Sequence, residues 1–187
     1  MRYLVSVALL VLPLLNGCVP VVVGGAAATG VVVAEDRRTV GTMTEDESIE
    51  FKTLARLRER VKDTHINVTS YNRMVLLTGE VPDAGAKASA EKVARAMDNV
   101  RSVVNELQVA GNSALSSRAN DSYLTSKVKA RFVDGQKFNP VHVKVVTENN
   151  VVYLLGLVRK REANDATEIA RTTGGVQKVV RVFEYLD

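Results

Sequence analysis

Two stretches of this chain, 77 positions apart, can be laid on one another without a gap: HINVTSYNRMVLLTGEV at 65–81 and HVKVVTENNVVYLLGLV at 142–158. His65 meets His142, Val68 meets Val145, Val75 meets Val152, Leu77 meets Leu154, Gly79 meets Gly156 and Val81 meets Val158. After a one-residue deletion the match resumes as VARAMDNVRSVVNEL against IARTTGGVQKVVRVF, pairing Arg95 with Arg171 and Val100 with Val176. A tandem duplication constrains a fold strongly, because whatever one copy builds the other must build as well.

Each copy reads the same way. Helical spacing of apolar residues runs from about Ser48 to Lys62 (Ile49, Leu54, Leu57, Val61) and from about Asn120 to Asp134. Two β-rich runs follow, joined by SYNR in the first copy and TENN in the second, which is hairpin chemistry. An alanine-rich helix near 84–98 and 161–173 and a valine-rich strand near 101–109 and 177–186 complete the unit. The order is αββαβ. The second strand, second helix and third strand form a βαβ unit, whose right-handed crossover makes those two strands parallel. The expected fold class is α+β: two tandem units, each a three-stranded mixed sheet with two helices on one face.

Strand two is apolar on both sides. Val152, Leu154 and Val158 point one way and Val151, Tyr153 and Leu155 the other. One side meets the helices, so the other is expected to meet the sister copy. Units of roughly 65 residues sit near the lower limit of independent stability. Gly79 and Gly156, at one strand position in both copies, predict a bulge or a close backbone approach.

The N-terminus has a different character. MRYLVSVALLVLPLLNGC has a basic start at Arg2, an apolar run from Leu4 to Leu15, and small residues before the single cysteine, Cys18. That is the pattern of a secretory signal peptide; a membrane span needs about 20 apolar residues, and Pro13, Asn16 and Gly17 interrupt this run. LNGC resembles the lipobox of bacterial lipoproteins, with Asn16 where a smaller residue is commoner. The resemblance implies cleavage before Cys18 and acylation of it, and Val19 rather than Asp after it implies sorting to the outer membrane. The predicted organisation is signal peptide 1–17, acylated cysteine and flexible linker 18–45, first unit 46–110, linker 111–119 and second unit 120–187.

The αββαβ order, the strands VLLTGEV and VYLLGLV with their glycine, and the downstream V-x-x-V-V strand resemble the BON domain, named for bacterial osmotic-shock and nodulation proteins. With the lipobox, a Val/Gly/Ala segment and RRTVGT, the whole chain resembles the dual-BON outer-membrane lipoproteins. That resemblance implies a non-enzymatic protein on the periplasmic face of the outer membrane, tied to envelope integrity and the cell division site, whose second domain binds phospholipid.

The residues themselves offer little catalytic chemistry. His65 and His142 are the only histidines, and their equivalent placement reads as a shared structural slot. With the one cysteine used as an anchor, no disulfide framework or thiolate metal site is expected. Metal-protease, nucleophile-elbow and phosphate-loop spacings are missing, and GGAAATG at 24–30 reads as a tether. The expectation is no enzyme, no cofactor and no metal.

Charge is more specific. Residues 46–110 carry ten Lys/Arg and ten Asp/Glu, whereas residues 118–187 carry twelve and eight, so the whole +4 excess lies in the second copy. Nucleic acid is excluded as partner by the export signal, leaving anionic phospholipid (phosphatidylglycerol, cardiolipin) as the negative surface within reach. In SYLTSKVKARF, Leu124, Val128 and Phe132 form a core stripe at helical spacing, and Tyr123, Lys127 and Arg131 form a second stripe beside it. Tyrosine suits a membrane interface, and Lys and Arg can lay their stems on lipid while meeting phosphate. From this face alone, a surface Tyr123 packing its ring over a neighbouring stem accounts for the pattern equally well; the family resemblance, which implies lipid contact through this helix, makes Tyr123, Leu124, Lys127 and Arg131 the expected phospholipid-binding residues, with Leu124 at the border. The alternative is a protein-interaction module acting on outer-membrane assembly machinery, motivated by the neutral first copy and the spare apolar strand face.

Overall fold

The computed structural model describes residues 35–187, so the signal peptide, Cys18 and most of the linker lie outside the described residues. The first copy comprises α1 (Val40–Arg60), β1 (His65–Tyr71), β2 (Met74–Val81), α2 (Ala84–Arg95), β3 (Ser102–Asn105) and β4 (Gln108–Val109). The second comprises α3 (Leu115–Gly135), β5 (Val143–Glu148), β6 (Val151–Val158), α4 (Lys160–Arg171) and β7 (Lys178–Tyr185), with a short 3-10 turn at Pro140–His142. The α+β class and the repeated αββαβ order are those the duplication demanded.

Each hairpin is antiparallel, and the crossover strand lies parallel to the hairpin's second strand: β3 pairs β2 and β7 pairs β6. Both hairpin turns place two residues at positive φ, Asn72 and Arg73 in one copy and Asn149 and Asn150 in the other. This is the backbone twist that tight two-residue turns require. A buried aspartate from the first helix of each copy fastens its own turn. Asp46 accepts from the backbone N–H of Asn72 and Arg73, at 2.8 and 2.7 Å, and Asp121 accepts from Asn149 and Asn150, both at 2.9 Å. From these aspartates the buried stripes run in step, Asp46, Ile49, Thr53, Leu57 and Asp121, Leu124, Val128, Phe132.

One face of each sheet takes both helices. Val75, Leu77 and Val81 pack with Ile49, Leu57, Ala90, Val93 and Ala94, and Val152, Leu154 and Val158 pack with Val128, Phe132, Ala163, Ala166 and Ile169. The opposite faces close on each other. Tyr71 and Leu76 meet Tyr153, Leu155, Leu157 and Val182 in a third apolar cluster drawn from both copies. Full burial of such side chains contributes about 1.5–3 kcal/mol each. The apolar outer face of strand two is thus the seam between the copies.

The conserved glycine slot is a close backbone approach. A Cβ on Gly79 would collide with the carbonyl of His65 on the neighbouring strand, and one on Gly156 with the carbonyl of His142 just before the neighbouring strand; Gly79 in addition sits at φ 108°. The histidines share this slot through their backbones.

Three boundaries differ from the sequence reading. α1 opens at Val40, not near Ser48, because Thr39 caps it by accepting from the N–H of Thr42 and Arg38 ties Asp36 to Asp46. α3 opens at Leu115, taking in much of the 111–119 linker. The last strand of the first copy is split into β3 and β4 because Leu107 turns into the core between them.

Candidate functional site

The expected phospholipid ridge lies on α3. Tyr123, two residues past the buried Asp121, is 63% exposed, and the ammonium of Lys127 stands 5.9 Å from its ring centroid. The two cations are held in place from below. Lys127 Nζ donates to the carbonyl of Gly174 at 3.0 Å. Arg131 donates to the carbonyl of Ile169 at 2.9 Å, to Thr173 Oγ1 at 2.7 Å and to Thr172 Oγ1 at 3.2 Å. These acceptors belong to the last turn of α4 and the loop after it, where unsatisfied carbonyls and the negative end of the helix dipole favour cations. Lysine and arginine each retain N–H groups beyond those so engaged.

Leu124 requires correction. It is 2% exposed and packs over Gly175, where a Cβ would stand 2.7 Å from its Cδ2. The side chain therefore backs the ridge from within and contributes nothing to its surface. The ridge proper is Tyr123, Lys127 and Arg131. Its counterpart in the first copy, counted from Asp46, is Ser48, Lys52 and Arg56: the cations recur and the aromatic does not. The first copy instead exposes Phe51, at 77%.

The two ends of the seam form the other polar features. At one end His65 Nδ1 lies 2.9 Å from Glu80 Oε2 and 3.9 Å from Glu148 Oε1. Asn149 Nδ2 donates to Glu80 Oε1 at 2.6 Å, and Asn67 Nδ2 donates to Glu148 Oε2 at 2.7 Å. Burial pushes the Glu148 carboxyl up, and the Glu80 and Asp121 carboxylates add to the rise. Burial pushes Glu80 the same way, but hydrogen bonds from Asn149, His65 and Ser113 outweigh it and hold the group below its usual range.

At the other end the equivalents of those three residues are His142, Leu157 and Tyr71. A strap of residues 35–39 covers it. Arg37 forks onto Glu162 at 2.7 and 2.8 Å and donates to the carbonyl of Leu157, and the Arg38 guanidinium lies 3.9 Å over the Tyr71 ring. The Arg37 hydrogen bonds hold Glu162 down to about 2. Glu35 binds Asn139 through its side chain and His142 Nε2 through its carbonyl.

The sequence reading missed the strap and the acidic end of the seam. Glu80 carried a signal, as a charge inside an otherwise apolar strand; Glu148, in a turn-flanking position, carried none until the copies were docked. Among the described residues no helix is long and apolar enough to cross a membrane.

Comparison with known proteins gives two matches to the model of the BON domain, at residues 45–111 and 120–187. The chain is 41% identical over 177 residues to the outer membrane lipoprotein DolP of Haemophilus influenzae, covering 92% of this chain and 91% of that protein. It is 32% identical to the 21 kDa hemolysin of Actinobacillus pleuropneumoniae, over 81% of this chain and 79% of the relative. It is also 32% identical to the osmotically-inducible protein Y of Escherichia coli strain K12, over 81% and 78%.

Proposed function

The chain belongs to the BON-domain family, as a tandem pair of such domains, and from that premise we propose that it is an outer-membrane lipoprotein whose second domain binds anionic phospholipid. Cys18 carries the acyl anchor and the Tyr123, Lys127 and Arg131 ridge meets the headgroups. The observation that carries the reading is the exposed Tyr123 ring beside two cations whose positions are fixed by the end of α4. The similarity to DolP over nearly the whole chain supports the anchor and the compartment.

A basic residue near an anionic bilayer contributes about 1 kcal/mol, so the ridge alone binds weakly. The anchor offsets this. The 16 residues between Cys18 and Glu35 cannot span more than about 60 Å, which keeps the ridge at high effective concentration near the leaflet. Affinity can then be modest while still selecting lipid composition.

Flotation of residues 19–187, which lack the anchor, with phosphatidylglycerol vesicles tests the ridge. Tyr123→Ser with Lys127→Glu is expected to reduce binding at least about tenfold, from the loss of one cation, the gain of one anion and the loss of the ring. Binding unchanged by the pair overturns the assignment.

The alternative, docking on envelope machinery, drew on the spare apolar strand face, and the seam occupies that face. The neutral charge of the first copy still favours it, and the exposed Phe51 adds to it. Crosslinking in cells before and after Phe51→Ser separates the readings.

A further inference from the structure

His65, Glu80 and Glu148 are not among the residues of the ridge. We propose that they form a site for one divalent metal ion of the zinc class, which staples the first copy to the second. His65 and Glu80 come from β1 and β2, and Glu148 comes from β5.

The donor atoms already cluster. One ligand atom from each residue lies within 4.8 Å of the others, with His65 Nδ1 at 2.9 Å from one carboxylate and 3.9 Å from the other. Tetrahedral zinc with bonds of 2.0–2.2 Å to nitrogen and oxygen sets its donors about 3.4 Å apart, between those two distances. Imidazole with two carboxylates is a donor set suited to zinc and its neighbours, and two carboxylates neutralise a dication.

The carboxylates are also aimed. Each has one oxygen held by an asparagine amide, Asn149 on Glu80 and Asn67 on Glu148, so that the other oxygen faces His65. This is the orienting outer shell that metal ligands carry. Glu80 Oε2 also accepts from the Ser113 N–H at 3.2 Å. Glu148 Oε1 has no hydrogen-bond partner among the described residues, although its side chain is only 6% exposed. A carboxylate so nearly buried, with one oxygen left without a donor where the residue lines a cavity, favours a cation. The surrounding charge adds to the demand, since Asp121 lies close by and Arg118 is the cation lining the same cavity. That cavity, about 380 Å³, is also lined by His65 and Glu148 and leaves room for a water as fourth ligand.

The duplication fixes the stoichiometry at one. At the equivalent end Leu157 and Tyr71 replace the two carboxylates, so the second copy's histidine has no such set.

The test uses the acylated chain, purified in detergent, stripped with chelator and titrated with zinc chloride. Calorimetry is expected to give one zinc per chain, and the melting temperature is expected to rise with zinc concentration. Glu148→Gln is expected to weaken binding at least about 100-fold, more than loss of an outer-shell partner does, and His142→Gln to leave it unchanged. Should Glu148→Gln not fold, X-ray absorption of the zinc-loaded parent decides, with one imidazole and otherwise oxygen ligands expected. The proposal is overturned by absence of saturable one-to-one binding, by binding that survives in folded Glu148→Gln, by binding lost in His142→Gln, or by a shell with two imidazoles or none.

Discussion

The two ends of the seam descend from one duplicated surface and now do opposite things. Where the first end gathers His65 with the buried Glu80 and Glu148, the second has His142 beside Leu157 and Tyr71 and is sealed by Arg37 and Arg38 from the strap. The same divergence marks the first helices, which keep their aspartate, their apolar stripe and their two cations but carry Ser48 in one copy and Tyr123 in the other. Duplication preserved what the frame needs, namely the turn fastening and the glycine slot. It released positions at the ends of the seam and on the exposed side of the first helix.

The largest effect that can break this symmetry is at the shared slot. Gly79→Ala must hold a side chain at φ 108° and displace the His65 carbonyl, and is expected to cost about 3 kcal/mol or more, whereas Gly156→Ala meets its neighbour's carbonyl without positive φ and is expected to cost about 1–2 kcal/mol. Urea denaturation of the two variants checks the order, and equal losses would show the slots to be equivalent.

Next is the strap. Arg37→Ala is expected to destabilise the protein by about 1–2 kcal/mol at pH 7, discounted for partial solvent screening of the pair. Its partner Glu162 has a folded-state value of about 2 against an ordinary 4.5. The depressed value means that this stabilisation is complete above pH 4.5 and is lost as pH falls toward 2. Melting curves of parent and variant should therefore converge over that window, and a gap that stayed constant would assign the loss to packing.

The smallest effect on stability belongs to the exposed ridge, where exchange sharpens the comparison most. Tyr123→Ser and Ser48→Tyr are each expected to change stability by less than about 0.5 kcal/mol, as surface substitutions do. Vesicle flotation is expected to fall with the first and to recover in part when the second is added to it. No recovery would mean that the first copy's Lys52 and Arg56 do not present their charges as Lys127 and Arg131 do.

The repeat made the frame legible from sequence. Element order, parallel and antiparallel pairing, the two apolar faces of strand two and the glycine approach all follow from local pattern applied twice. The start of α1 did not, because its opening turns carry no apolar periodicity and are held by Arg38 reaching Asp46. Leu107's turn into the core, which splits the final strand, has no local signature either. Tyr123, Lys127 and Arg131 could be found by spacing, but their fastening to α4 could not, since Gly174 and Ile169 lie more than 35 residues away along the chain. The acidic end of the seam needs the two sheets docked in register, which single-copy patterning does not encode.

The strap decides where mechanical load enters the molecule. If the chain is tethered at Cys18, tension from the bilayer arrives at Glu35 and reaches the Arg37–Glu162 fork before any of it reaches α1. Under such a tether the pull would fall on the second domain, although the first is the nearer in sequence.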